Sequence, residues 1–239
     1  MTMPVPSWWM ALVLLVGCGE GHPPSPAERS PSPACRAPAG VTNEPRSIQQ
    51  GVELVNALPK PLTLPCFVEA LGRPLRLHAA ISRVSAQPSR GTRSPRIFVY
   101  SETLVMTVVP EGRGAHLLEF GEQRPDLRSV KAELRFPIEE NVSSSLPYEQ
   151  ALFTEEVTGC AFCHAGEEPD PSVIAAPAFV SVALRPLEQQ RVPLSSLRDE
   201  HAICDAAIEP ERCALLDALF GRGDVADWDF PPEMATFGQ

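Results

Sequence analysis

Two cysteines three positions apart, with a histidine directly after the second, stand at Cys160-Ala161-Phe162-Cys163-His164. One turn of chain brings both thiols and the imidazole together. Such a set can close a disulfide, cycle as a redox-active dithiol, hold a metal ion, or bond covalently to a prosthetic group. Nothing else in the 239 residues carries chemistry as clearly. There is no Gly-rich phosphate loop, and no Ser/His/Asp or paired-carboxylate arrangement stands out from its background. Arg222-Gly223-Asp224 and the sequon Asn141-Val142-Ser143 read as chance matches.

The remaining cysteines narrow these options. They stand at 18, 35, 66, 204 and 213. Cys35 and Cys66 bracket an expected helix, and a disulfide between them is the simplest pairing. Cys204 and Cys213 flank an expected turn. They either pair with each other, leaving Cys160 and Cys163 for other chemistry, or join those two in a pair of staples. A thiol-redox motif usually opens a helix after a strand in a βαβ setting, and none is apparent. Zinc through three Cys and one His needs thiols that an oxidising compartment removes.

The run Cys160–His164 resembles the haem-attachment site of c-type cytochromes. That resemblance implies haem c, with Cys160 and Cys163 adding across its two vinyl groups and His164 as proximal iron ligand. Met234, in Phe230-Pro231-Pro232-Glu233-Met234, is the first candidate for the distal side, and His201 is the alternative. An open sixth position that takes a small molecule is a third arrangement. Val173, Ile174, Phe179, Val180, Val182, Leu184, Leu197, Leu215, Leu219 and Phe220 offer apolar material for a pocket. His78 and His116 fall in strand-rich sequence and read as structural or exposed.

The N-terminus gives a second resemblance. Trp8 to Val16 is an unbroken apolar run, too short to cross a bilayer and suited to the core of a signal peptide. Leu15-Val16-Gly17-Cys18 follows, and it resembles the lipobox of bacterial lipoproteins. The resemblance implies removal of residues 1–17, lipid on Cys18, and a membrane anchor. Gly19 after the Cys implies the outer membrane, facing the periplasm. Residues 18–45 are Pro-rich and read as an extended tether.

The elements that must hold the motif follow from pattern. Ser47 with Gln50 fits a helix start, with Ile48, Val52 and Val55 on one face and Pro59 as the stop. Strands are expected at 97–100, 104–109 and 117–120. A further strand, 129–138, alternates Val130, Ala132, Leu134, Phe136 and Ile138 with Ser129, Lys131, Glu133 and Arg135. Period two places the second set on a face in water. Gly112 and Gly114 mark a turn. Helices are expected at 193–204 and 210–220, the latter opened by Pro210 and closed by Gly221. The fold class expected is α+β. A strand-rich domain with one capped helix fills 46–145, and a small, mainly helical haem segment fills 146–239.

Charge separates along the same line. Residues 18–150 hold 15 basic and 14 acidic side chains, and residues 151–239 hold 5 and 16. The net charge of −10 therefore lies C-terminally, which disfavours nucleic acid and suits a basic redox partner. The expected function is one-electron transfer by a membrane-tethered cytochrome. The rival expectation is an envelope lipoprotein stapled by disulfides, with a binding or structural role and no enzyme activity.

Overall fold

A computed structural model of the chain describes residues 35–82 and 85–236, so Cys18, the lipobox and residues 18–34 of the expected tether lie outside the described residues. Helix α1 (Ile48–Ala57) begins where Ser47 places it, and the Ser47 hydroxyl accepts the Gln50 N–H at 3.2 Å. The Gln50 side chain reaches one residue further back than a capping box requires, accepting the Arg46 N–H at 2.8 Å. The Ile48 N–H donates to the Glu122 carboxylate at 2.9 Å, so this helix N-terminus docks on the sheet through a charge of the favourable sign. A second helix, α2 (Leu64–Ala70), was not expected. Thr63 caps it and Pro65 occupies its first turn, where the missing N–H costs nothing.

Next come strands β1 (Leu75–Ala80), β2 (Arg96–Ser101), β3 (Leu104–Val108), β4 (Leu117–Gln123) and β5 (Arg128–Arg135). They form a continuous antiparallel meander. Between β3 and β4 the chain turns at Gly112 and Gly114, with φ of +86° and +85°. At Gly114 a Cβ would also stand 2.7 Å from the Ala86 carbonyl oxygen, so only glycine fits.

The rest of the chain adds α3 (Leu146–Ala151), β6 (Leu152–Thr154), β7 (Val157–Thr158), β8 (Glu168–Pro169), β9 (Phe179–Val182) and β10 (Leu184–Arg185). Then follow α4 (Leu194–Ala202), α5 (Pro210–Phe220), β11 (Val225–Asp227) and β12 (Ala235–Thr236). The fold is α+β, built on an eight-stranded sheet in the order β11-β1-β2-β3-β4-β5-β9-β8. Three of these strands come from beyond residue 146, so the sheet takes strands from both sides of that position. They are two to four residues long, too short to show a period in sequence. No helix among the described residues is long and apolar enough to cross a membrane.

The two faces of the sheet differ. Leu77, Val99, Met106, Leu118, Val130 and Leu134 point to a face covered by helices, and they form the main core with Phe67, Leu197 and Leu216. At Gly51 of α1 an added Cβ would lie 3.2 Å from the Phe120 ring, so the helix sits tightly on β4. The opposite face carries Phe98, Tyr100, Thr107, Glu119, Ser129 and Lys131. The sequence placed Ser129 and Lys131 in water, and the structure corrects that. Ser129 is 1% exposed and Lys131 7%, because residues 151–190 and 228–236 fold over this face.

Candidate functional site

The thiol–imidazole run is held as a single tight turn. The β6–β7 hairpin delivers Thr158, whose hydroxyl accepts the Cys160 N–H at 3.1 Å. The Cys160 carbonyl then accepts the N–H groups of Cys163 and His164 at 3.0 and 2.9 Å. Glu167 anchors the turn from the far side by accepting the Thr158 N–H at 2.7 Å. Burial pushes the Cys160 thiol up to about 11, so it is protonated at neutral pH.

His164 is oriented by one bond. Its Nδ1 lies 2.8 Å from the Val182 carbonyl oxygen, which can only accept, so Nδ1 carries the proton. Burial pushes the ring's pKa down to about 3, which keeps it neutral. Nε2 is then the lone-pair nitrogen. A carbonyl that fixes the tautomer and angle of a ring is the usual outer support of a metal-ligating histidine.

The cysteines divide cleanly. Cys35 bonds Cys66 and Cys204 bonds Cys213, with Cα–Cα separations of 5.0 and 5.6 Å. Cys160 and Cys163 keep free thiols. Among the described residues, no three His, Cys, Asp or Glu side chains form a group able to hold a metal ion directly.

Both thiols and His164 open on a cavity of about 390 Å³, within the range that holds cofactors and small ligands. Phe98, Val105, Leu184, Phe230 and Met234 give it apolar lining. Met234 is 4% exposed and is fixed by its backbone. Its carbonyl accepts from Arg185 Nε at 2.9 Å, and its N–H donates to the Pro231 carbonyl at 3.0 Å. Met234 and His164 therefore share one cavity.

His201 lies elsewhere. On α4, its Nε2 is 3.4 Å from the Asp217 carboxylate and its ring leans on Phe220, within the helical layer. His78 is buried among Phe98 and Phe230 with Nδ1 3.0 Å from the Trp228 carbonyl, and His116 is exposed. Of the apolar residues expected to line a pocket, Leu184 does so. Leu197, Leu215 and Leu219 belong to the helical core, and Ile174 is 96% exposed.

The sheet wall of the cavity is polar, and sequence reasoning missed it. Arg96 pairs with Glu119, donates to the Thr107 hydroxyl at 3.1 Å and lies over the Phe98 ring. Fully buried Gln87 accepts the Thr107 hydroxyl at 2.7 Å and donates to the Leu117 carbonyl at 2.8 Å. Next to these stands Lys131, whose ammonium donates to the Ser129 hydroxyl, and burial brings its pKa down to about 8. The residues sit on five separate segments, so no local spacing announced them.

No protein-family model, no curated protein and no solved structure matches the chain.

Proposed function

We propose that this chain is a c-type cytochrome of the bacterial envelope, tethered by lipid on Cys18, that passes single electrons to and from a basic partner. The observation that carries the reading is the partition of the cysteines. Of the six described cysteines, four are paired away from the cavity, and the two that remain free face it beside an oriented histidine. The rival reading, a lipoprotein stapled by three disulfides, requires a third bond between Cys160 and Cys163 themselves, whose thiols are free in this structure.

The donor set fits haem. Two thiols on one turn match two vinyl groups, and a neutral imidazole with Nε2 unprotonated suits iron. When bound, haem supplies a ferric/ferrous couple whose potential depends on its axial ligands and surroundings. The chain does the rest. Cys160 and Cys163 hold the group in place. Val182 fixes the angle of His164, Met234 supplies a thioether in the same cavity, and the sheet with Phe98 and Phe230 excludes water.

Charge supports the choice of partner. Between Arg135 and Arg185 there is no Lys or Arg, while Glu139, Glu140, Glu149, Glu155, Glu156, Glu167, Glu168 and Asp170 all fall there. Phe162, inside the motif, is 73% exposed and pairs edge-on with Phe153, giving the acidic zone an apolar contact point. A lipid anchor and a Pro-rich tether at the N-terminus would hold this surface near a membrane-bound donor or acceptor.

The test is expression in a host with c-type haem maturation machinery, followed by an absorption spectrum and the intact mass under denaturing conditions. The expected result is a Soret band and a mass raised by one haem, both lost in a Cys160→Ala/Cys163→Ala double variant. A colourless protein whose mass is short by six hydrogens would sink this reading in favour of the stapled lipoprotein.

A further inference from the structure

The polar wall of the cavity contains more cationic donors than its neighbours satisfy. Lys131 is buried, yet among the described residues its ammonium makes one hydrogen bond, to a neutral hydroxyl, and no ion pair. Two of its three N–H groups are spare. Arg96 lines the same cavity, and its Nε–H is buried without a partner although its terminal nitrogen is engaged by Glu119 and Thr107. The nearby carboxylates are committed elsewhere: Glu119 to Arg96, Glu133 to Arg135, and Glu167 to Thr158. The charges of Glu119 and Glu167 act on Lys131 through space, without contact.

An ammonium taken out of water and left with unmade hydrogen bonds is among the most costly features a core can hold. The other face of the same strand carries only apolar residues, Val130, Ala132 and Leu134. Register explains the placement. Lys131 stands opposite Gly121 on β4, which has no side chain, and both residues line the cavity.

The geometry points to an anion-binding seat formed by Lys131 and Arg96, which takes a single oxyanion of carboxylate size inside the cavity. The site stands on the cavity itself and does not depend on covalent haem. The same chemistry has two sources: a carboxylate carried by a cavity occupant, such as a haem propionate, or a free oxyanion entering from solvent. Both would accept a charge-assisted hydrogen bond from Lys131 Nζ, with the Arg96 guanidinium adding positive charge to the same wall.

The experiment begins with the intact mass, so that haem content is known independently. The mature protein as isolated, and the haem-free Cys160→Ala/Cys163→Ala variant, are then melted in sodium nitrite and in sodium formate against chloride at equal ionic strength. A free-oxyanion seat raises the melting temperature by about 5 °C or more near saturation, and Lys131→Met abolishes the rise while Lys131→Arg keeps it. An occupant's carboxylate gives a different pattern. Haem-loaded protein ignores the added anions, and its propionate bands in resonance Raman shift in Lys131→Met but not in the exposed control Arg198→Met. The seat is refuted if neither anion moves the melting temperature of either protein and any haem propionate bands are unmoved in Lys131→Met. If the Lys131 variants fail to fold, the melts decide alone: a rise in the haem-free variant supports the seat, and no rise in either protein refutes it.

Discussion

The two faces of β5 are a few ångströms apart and were built by different rules. Val130, Ala132 and Leu134 face a helical layer, and both disulfides belong to that layer: Cys66 lies on α2, while Cys204 and Cys213 join α4 to α5. Ser129 and Lys131, on the alternate positions, are equally hidden from water but face irregular chain and a cavity. One face is therefore apolar, stapled and filled, and the other polar, loop-covered and hollow. Burial alone does not make a core. A buried face that keeps its charges is arranged for something other than packing.

This contrast can be broken by mutation. On the filled face, Leu134→Ala should cost about 2–5 kcal/mol in urea denaturation, since it leaves a cavity in a closed core. A smaller loss would mean that the helical layer is loosely packed. Removing the Cys35–Cys66 bond, which spans 31 residues, should cost about 3–4 kcal/mol, and Cys204–Cys213, spanning 9, about 2–3 kcal/mol. Neither should alter any haem spectrum, because both bonds lie across the sheet from the cavity. On the hollow face, the change should have the opposite sign. Lys131→Met should raise stability by about 1–3 kcal/mol in anion-poor buffer, because an unpaired buried charge is replaced by an apolar chain of similar length. A loss there would make Lys131 an ordinary structural residue and erase the difference between the faces.

The smallest effect concerns His78, at the aromatic end of the hollow face. Burial lowers its pKa below the ordinary 6.5, despite the neighbouring Asp227 and Asp229 and with some help from Arg191. The unfolded chain therefore takes up a proton first as pH falls. Stability should decline below about pH 6.5, and His78→Gln should remove that part of the decline in pH-dependent melts.

Much of the framework was legible in the residues. Ser47, Pro210 and Gly221 marked helix ends, and the alternation of β5 gave the strand and its core half. What alternation could not give was the fate of the other half. A polar residue at a period-two position looks the same whether water or a cavity faces it. Strand β1 was missed because Arg76, His78 and two alanines carry little strand preference, and its pairing with β2 makes it a strand. Helix α2 is seven residues long, too short for a period. At the site, Cys160, Cys163 and His164 were visible because they are adjacent in sequence, and Met234 because it sits in a Pro-rich loop. Arg96, Thr107, Glu119 and Lys131 converge only through the register of four strands, which no single segment encodes.

The Cys35–Cys66 bond also has a mechanical side. A protein held by its N-terminus feels drag from thermal motion and from its partners along that one end. Any such pull arriving from residues before 35 reaches the fold at Cys35 and passes through a covalent link to the first turn of α2. The load is then shared by a helix seated on the core, and the segment between the two cysteines, which stand 31 positions apart, lies off the line of force. Such a pull bypasses α1, so an anchor of the kind proposed would load the helical layer and not the cavity on the far face.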